Sequence, residues 1–143
     1  MTDIGVIGGA GYVGLVTSVG FAALGHKVMS MDLDISRIRM LRGGNSVVYE
    51  EGLEPILGEL LKHKSITFTN DQYETVQNSE AVFIAVGTPS LADGRADMSA
   101  VINVAERLRD QIDKYTVIVI KSTVPVGAIN VISEILCQKL TAG

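Results

Sequence analysis

A doubly wound, mostly parallel α/β sheet is the fold this sequence predicts, and three observations carry that expectation. Apolar strand-like runs alternate with helix-like segments along the whole chain. Those runs, such as Ala81–Val86 and Thr116–Ile120, are short and continuously apolar instead of alternating, as in strands covered on both faces. A glycine-rich turn stands between the first strand-like run and the first helix-like one. Single strands between helices imply crossover connections and hence a parallel sheet.

Taken in order, the elements are these. A short apolar strand is expected over Asp3–Ile7, and a helix from Tyr12 to Leu24 that Gly25 stops. Lys27–Met31 is the second strand. Asp34 is placed to cap a helix over Ile35–Leu41, ended by Gly43 and Gly44. Pro55 lies near the start of a helix through Leu61, where its missing N–H costs nothing. Ser65–Phe68 is a strand, and Asp71 with Glu74 resembles a capping box for a brief helix. Glu80–Val86 is the fourth strand. Ser99 opens a long helix through Ile112, Thr116–Ile120 is the fifth strand, and a last helix spans about Ala128–Leu140. The expected strand order is 3-2-1-4-5. A six-stranded sheet of this type needs one more strand after the last helix, so the sixth is expected to be missing.

The 143 residues suit one domain, residues 1–143. They are 47% hydrophobic with a mean hydropathy of +0.32, but no apolar run approaches the roughly 20 residues of a membrane helix. No basic segment precedes an apolar stretch at the amino terminus, so no secretory signal is expected. A formal charge of −4 without a basic block argues against nucleic-acid binding. Cys137 is the only cysteine, which rules out an internal disulfide and fits a reducing cytoplasm. Its neighbours Ile135 and Leu136 lead us to expect a buried structural thiol. His26 and His63 are expected at the surface, the acidic trio Glu50, Glu51 and Glu54 solvated, and no His/Cys/Asp grouping has metal-ligand spacing.

Four segments carry the chemistry. Gly9-Ala10-Gly11-Tyr12-Val13-Gly14 fits GxGxxG between strand and helix, the dinucleotide-binding fingerprint of a Rossmann fold. Gly9 would permit the tight turn, with Gly8 equally suited to it. Gly11 would let a pyrophosphate approach, and Gly14 would let the helix pack closely on the strand. Free N–H groups at the helix start favour an anion. Asp32 follows Gly14 by 18 positions, where an acid that binds the ribose hydroxyls is expected. A carboxylate there repels a 2′-phosphate and so selects NAD over NADP. Asp34 competes for this role, but the strand-end position favours Asp32. Val86-Gly87-Thr88-Pro89 closes strand four beside the point where the strand order reverses, so Thr88 is expected to face Gly11 across the cofactor. Spacing alone leaves it open whether this is only a Gly-Pro turn. Lys121-Ser122-Thr123-Val124-Pro125-Val126-Gly127 places the hydroxyls of Ser122 and Thr123 at the carboxyl edge of the sheet, while Lys121 reads equally well as a solvated charge.

Together these segments, with Tyr49-Glu50-Glu51-Gly52-Leu53 and Asp93-Gly94 before Asp97-Met98-Ser99, resemble the amino-terminal domain of the UDP-glucose/GDP-mannose dehydrogenase family. The Tyr49–Leu53 and Lys121–Gly127 segments are far more specific than the glycines. Two departures are visible: Glu51 stands in place of the usual proline, and Arg37 where relatives often carry lysine. The resemblance implies an NAD-dependent oxidoreductase that converts the sugar C6 alcohol of a nucleotide sugar to a carboxylate with two NAD in succession, through a cysteine-bound thioester. It implies cofactor contacts from Gly9–Gly14, Asp32, Arg37, Val86–Pro89, Ser122 and Thr123, with Thr123 an auxiliary catalytic group. The family's nucleophilic cysteine and Asn-Pro-Glu-Phe-Leu segment lie downstream of these motifs, so Cys137 does not match the nucleophile. Central and carboxyl-terminal sugar-binding domains, and the helix that usually supports a dimer, are expected to be absent from this chain. The chain alone is expected to bind NAD without catalysis. A stand-alone nucleotide sensor of the kind that gates potassium transporters, or a β-hydroxyacid or 6-phosphogluconate dehydrogenase, shares the fold. Neither is expected to carry the Lys121–Gly127 segment.

Overall fold

The computed structural model describes residues 1–138. The elements are β1 (Asp3–Ile7), α1 (Tyr12–Ala23), β2 (Lys27–Met31), α2 (Ile35–Arg42), α3 (Leu53–Lys62), β3 (Ile66–Thr69), α4 (Gln72–Gln77), β4 (Ala81–Ile84), α5 (Ser99–Gln111), β5 (Val117–Ile120) and α6 (Ala128–Cys137). The five strands form one parallel sheet in the order β3-β2-β1-β4-β5, as the alternation predicts. In register, Ile4 lies beside Val28 on one side and Ala81 on the other, Val28 beside Ile66, and Ala81 beside Val117.

The differences from expectation are local. β4 stops at Ile84, so Val86 belongs to the loop beyond it. The anticipated capping box at α4 is half formed. Asp71 accepts the Glu74 N–H at 3.0 Å, but the Glu74 carboxylate accepts the Thr69 hydroxyl at 2.9 Å instead of reaching back. Ser99 is the first helical residue of α5, and the cap comes from Asp97, whose carboxylate accepts the Ser99 N–H at 2.9 Å. The Ser99 hydroxyl first, and then that bond, hold the Asp97 carboxyl below its ordinary range. Lys139 and Leu140, included in the expected last helix, lie outside the described residues.

The sheet is covered on both faces. Leu15, Val19, Leu41 and Leu57 from α1, α2 and α3 pack with Ile4, Val6 and Val28 on one face. Val76 of α4 and Val104 and Leu108 of α5 pack with Ile7, Val82 and Ile84 on the other. Burial of each Leu or Val contributes roughly 1.5–3 kcal/mol. Gly5 admits the close approach of α4 and the turn after it: a Cβ there would meet the Thr75 methyl at 2.9 Å and the Ser79 hydroxyl at 2.7 Å. No helix among the described residues is long and apolar enough to cross a membrane.

The chain leaves β1 toward β2 on one side of the sheet and returns from β3 to β4 on the other. The loops after β1 and β4 therefore diverge, and such divergence opens a crevice at the carboxyl ends of the strands.

Candidate functional site

A cleft of about 610 Å³ occupies that crevice. Its floor is the loop after β1. Gly8 and Gly9 both donate their N–H to the Met31 carbonyl, at 2.9 and 2.8 Å, which ties the loop to the end of β2. The division of labour among the glycines differs from the simplest expectation. Gly8, not Gly9, makes the left-handed turn, with φ +87°. Gly9 is required for another reason: a Cβ there would lie 1.9 Å from the Ser30 hydroxyl. Ser30 is fully buried, accepts from the Ser18 hydroxyl at 3.1 Å, and donates to the Gly9 carbonyl at 3.3 Å. Gly14 does the packing expected of it, since a Cβ would fall 2.1 Å from the Gly8 carbonyl oxygen.

Gly11 is different. A Cβ at Gly11 would meet only the Gly8 carbonyl, at 3.4 Å, so no crowding by the protein excludes a side chain there. Gly11 borders the cleft and is the N-cap of α1. It provides no side-chain cap, and no acidic residue stands in the first turn. The start of α1 therefore keeps the partial positive charge of its first N–H groups for an anion from outside. Tyr12 and Val13 lie exposed on that first turn. The Tyr12 hydroxyl donates to Glu50, which pins the segment before α3 against α1 and raises the phenol above its ordinary value.

The two aspartates separate cleanly. Asp34 caps α2: its Oδ1 accepts from the Ser36 N–H (3.0 Å), the Ser36 hydroxyl (2.6 Å) and the Arg37 N–H (3.1 Å). Asp32 borders the cleft. Its Oδ2 accepts the Ala10 N–H at 2.9 Å and its Oδ1 the Asp34 N–H at 3.0 Å. Each carboxylate oxygen accepts more than one hydrogen bond, so both retain capacity for a hydroxyl donor. Arg37 also borders the cleft and donates through Nη1 to the Ala10 carbonyl at 3.3 Å. Ala10, fully buried, is thus held by Asp32 at its N–H and by Arg37 at its C=O.

On the opposite wall Val86 and Gly87 border the cleft. The Ser122 hydroxyl donates to the Val86 carbonyl at 2.7 Å, and the Thr88 hydroxyl to the Thr123 carbonyl at 2.7 Å. The loops after β4 and β5 are therefore stitched together by the hydroxyls of Thr88 and Ser122, two of the three on this wall that the sequence assigns to the cofactor. Thr88, Pro89, Ser122 and Thr123 stand beside the cleft and not among the residues that border it, and Pro89, Lys121 and Thr123 are exposed.

A model of the family described as "UDP-glucose/GDP-mannose dehydrogenase family, NAD binding domain" matches residues 2–143. The chain belongs to this family. It is 47% identical over 128 residues to UDP-glucose 6-dehydrogenase of Pseudomonas aeruginosa, covering 90% of this chain and 28% of the relative. Among solved structures it resembles a UDP-glucose dehydrogenase from Pyrobaculum islandicum, with TM-score 0.86 and 38% identity over 96% of this chain and 34% of the other. It also resembles GDP-mannose dehydrogenase from Pseudomonas aeruginosa, with TM-score 0.90 and 30% identity over 95% of this chain and 32% of the other. The chain spans about a third or less of the length of these relatives.

Within this family domain, several cleft residues were not anticipated from sequence. Ser99, Ala100, Asn103, Val104 and Arg107 present one stripe of α5 to the cleft, and Gln72 enters from the start of α4. The α5 stripe has helical spacing, but nothing local tells which of its polar members face a ligand. Two other expectations are corrected. Cys137 is exposed, because α6 buries Ile132 and half-buries Ile135 and Leu136, leaving the thiol at the helix end outside the core. His26 is half-buried: its Nδ1 accepts the Thr2 N–H at 3.3 Å, and its ring meets Phe21 edge-on at 5.9 Å.

Proposed function

We propose that this chain holds NAD in the cleft as the cofactor module of a nucleotide-sugar 6-dehydrogenase, with the sugar C6 alcohol as the group oxidised. The observation that carries the reading is Gly11. It is a position that protein packing does not restrict to glycine, at the uncapped start of α1, opening on the same cleft as the Asp32 carboxylate. That cradle, positive at one end and acid-lined beside it, fits a pyrophosphate followed by a ribose diol.

The residues divide accordingly. In the loop of Gly9, Ala10, Gly11, Tyr12, Val13 and Gly14, the first three N–H groups hold the loop to Met31, Asp32 and Gly8, and the start of α1 at Tyr12, Val13 and Gly14 offers its backbone donors to the pyrophosphate. Asp32 accepts from the ribose hydroxyls, and Arg37 fixes the loop while presenting a cation at the cleft. Val86, Gly87, Thr88 and Pro89, with Ser122 and Thr123, lie on the nicotinamide side, where Thr123 is the group nearest to a catalytic role. When bound, NAD supplies the hydride acceptor for alcohol oxidation. Residues 1–143 act here as one cofactor domain, the nucleotide sugar and its nucleophile being held elsewhere in the full enzyme. The free thiol of Cys137 suits a cytoplasmic setting. A second copy of the chain remains compatible with this arrangement.

Calorimetric titration of the purified chain tests the reading. NAD binds more tightly than NADP, and NADP binding as tight as NAD overturns the role of Asp32. Mixed with NAD and UDP-glucose, GDP-mannose or UDP-N-acetylmannosamine, the chain produces no NADH absorbance, because positioning of the reacting carbon supplies much of the rate. Sustained turnover abolished by Cys137→Ser overturns the assignment of catalysis to other parts of the enzyme.

A further inference from the structure

The unabsorbed feature of the cleft is Gln72. It is the first residue of α4, only 6% exposed, yet it borders the cleft. Its amide Nε2 is buried and has no hydrogen-bond partner. Buried polar atoms are almost always paired, because an unpaired one forfeits its water hydrogen bonds for nothing. A chain that keeps such an amide at the wall of a binding cleft has a reason to look for its partner inside the cleft.

The position of Gln72 narrows that partner. The Asp32 N–H donates to the Thr69 carbonyl at 3.1 Å, at the end of β3, and Gln72 follows Thr69 by three residues. Gln72 therefore follows the strand that flanks β2 on the side away from β1 and the glycine loop, and α4 runs from there back over β2 and β1. A dinucleotide with its phosphates at Gly11 and its ribose at Asp32 sends its base toward that flank of β2. The cleft there has apolar walls from Leu33, Ala100 and Val104, suited to the faces of a purine.

We propose that Gln72 reads the purine base of the bound dinucleotide, donating to a ring nitrogen of adenine and accepting from its exocyclic amino group. This rests on the reading of the cleft as an NAD site and adds to it the residue that selects the base. A primary amide matches the N7 and N6 edge of adenine with two parallel hydrogen bonds. The last torsion of glutamine is broad and roughly two-fold, so a small rotation brings the amide toward the base without moving α4. Hypoxanthine presents an oxygen where adenine presents the amino group. Against it the amide cannot make both bonds, and one acceptor faces another.

The test compares NAD, nicotinamide hypoxanthine dinucleotide and ADP-ribose by calorimetry on the wild-type chain and on Gln72→Leu. The wild type binds NAD about 10-fold more tightly than the hypoxanthine dinucleotide, the discrimination expected of a two-bond contact. Gln72→Leu brings that ratio close to one by weakening NAD and ADP-ribose together, while the ligand-free protein keeps or raises its Tm because a buried unpaired amide has been removed. A structural role for Gln72 gives the opposite signature: a lower Tm and equal loss for both dinucleotides, which overturns the proposal. Tight NAD binding with the same ratio in both proteins also overturns it and leaves the cleft assignment standing. If the wild type binds neither NAD nor ADP-ribose, the cleft assignment itself fails, and the role of Gln72 with it.

Discussion

The two walls of the cleft are built in different ways. On the β1–β2 side the chain is locked to itself. Gly8 and Gly9 are tied to Met31, Ala10 is held at both its polar groups by Asp32 and Arg37, and three glycines, Gly8, Gly9 and Gly14, have no room for a methyl group. On the β4–β5 side two hydroxyl bonds join neighbouring loops, and Thr123, Pro125 and Val126 are exposed. β5 is the last strand of the described sheet and is only half covered, whereas β1 beneath the glycine loop is buried from Ile4 to Ile7. In the function proposed above, the tightly bonded wall meets phosphate and ribose, whose shape is the same in every turnover, and the looser wall meets the reacting carbon, where a substrate must enter and leave.

The sharpest way to break this comparison is within the rigid wall itself. Gly14→Ala forces a Cβ against the Gly8 carbonyl and should cost about 3 kcal/mol or more of folding stability, seen as a lower urea midpoint at unchanged slope. Gly11→Val, three residues away, should fold with a Tm within a few degrees of wild type and yet bind no measurable NAD. If the two variants behave alike, the fingerprint is a packing device only. Next in size, Asp32→Ala should weaken NAD by at least about tenfold and NADP by less, since it removes a charged acceptor from the ribose. Equal losses for both cofactors would mean that Asp32 serves only to hold the Ala10 N–H. On the looser wall, Ser122→Ala removes the bond to the Val86 carbonyl and should cost about 1 kcal/mol by denaturant titration, with NAD affinity changed less than by Asp32→Ala.

The smallest effect concerns Asp34, outside both walls. Its carboxyl is held below the ordinary range, first by the Ser36 hydroxyl and then by the Arg37 N–H. Because the folded value lies below the unfolded one, the cap contributes fully above the ordinary carboxylate value of about 4 and vanishes as the pH falls through the lower folded value. Thermal melts of wild type and Asp34→Ala should therefore differ slightly at neutral pH and converge in strong acid. A difference that grows on acidification would contradict the cap.

Much of the rigid wall was legible in the sequence because its rules are local. A strand, a glycine turn and a helix start lie within a dozen residues, and an acid ends the next strand. That Gly9 must be glycine although Gly8 makes the left-handed turn was not legible, because the reason is Ser30, which reaches the loop from β2. Gln72 and Arg107 escaped for a similar reason: they belong to helices on the far face of the sheet, and only the crossover from β3 to β4 brings α4 beside Asp32. Cys137 was misjudged because apolar sequence neighbours do not share its side of α6.

The contact between Gly9 and Ser30 also constrains the order in which this loop can change over a lineage. A side chain at position 9 has nowhere to go while the Ser30 hydroxyl fills that space, and Ser30 is itself engaged with Ser18. Gly9→Ala alone is a damaging step, whereas Ser30→Gly first clears both the hydroxyl and its carbon from the path. A double-mutant cycle between the two positions would register this as strong favourable coupling, and its absence would show that the loop has other ways to yield. Descendants of this sequence can therefore reach an alanine at position 9 readily by one route and scarcely by the other, although no cofactor atom is involved in either.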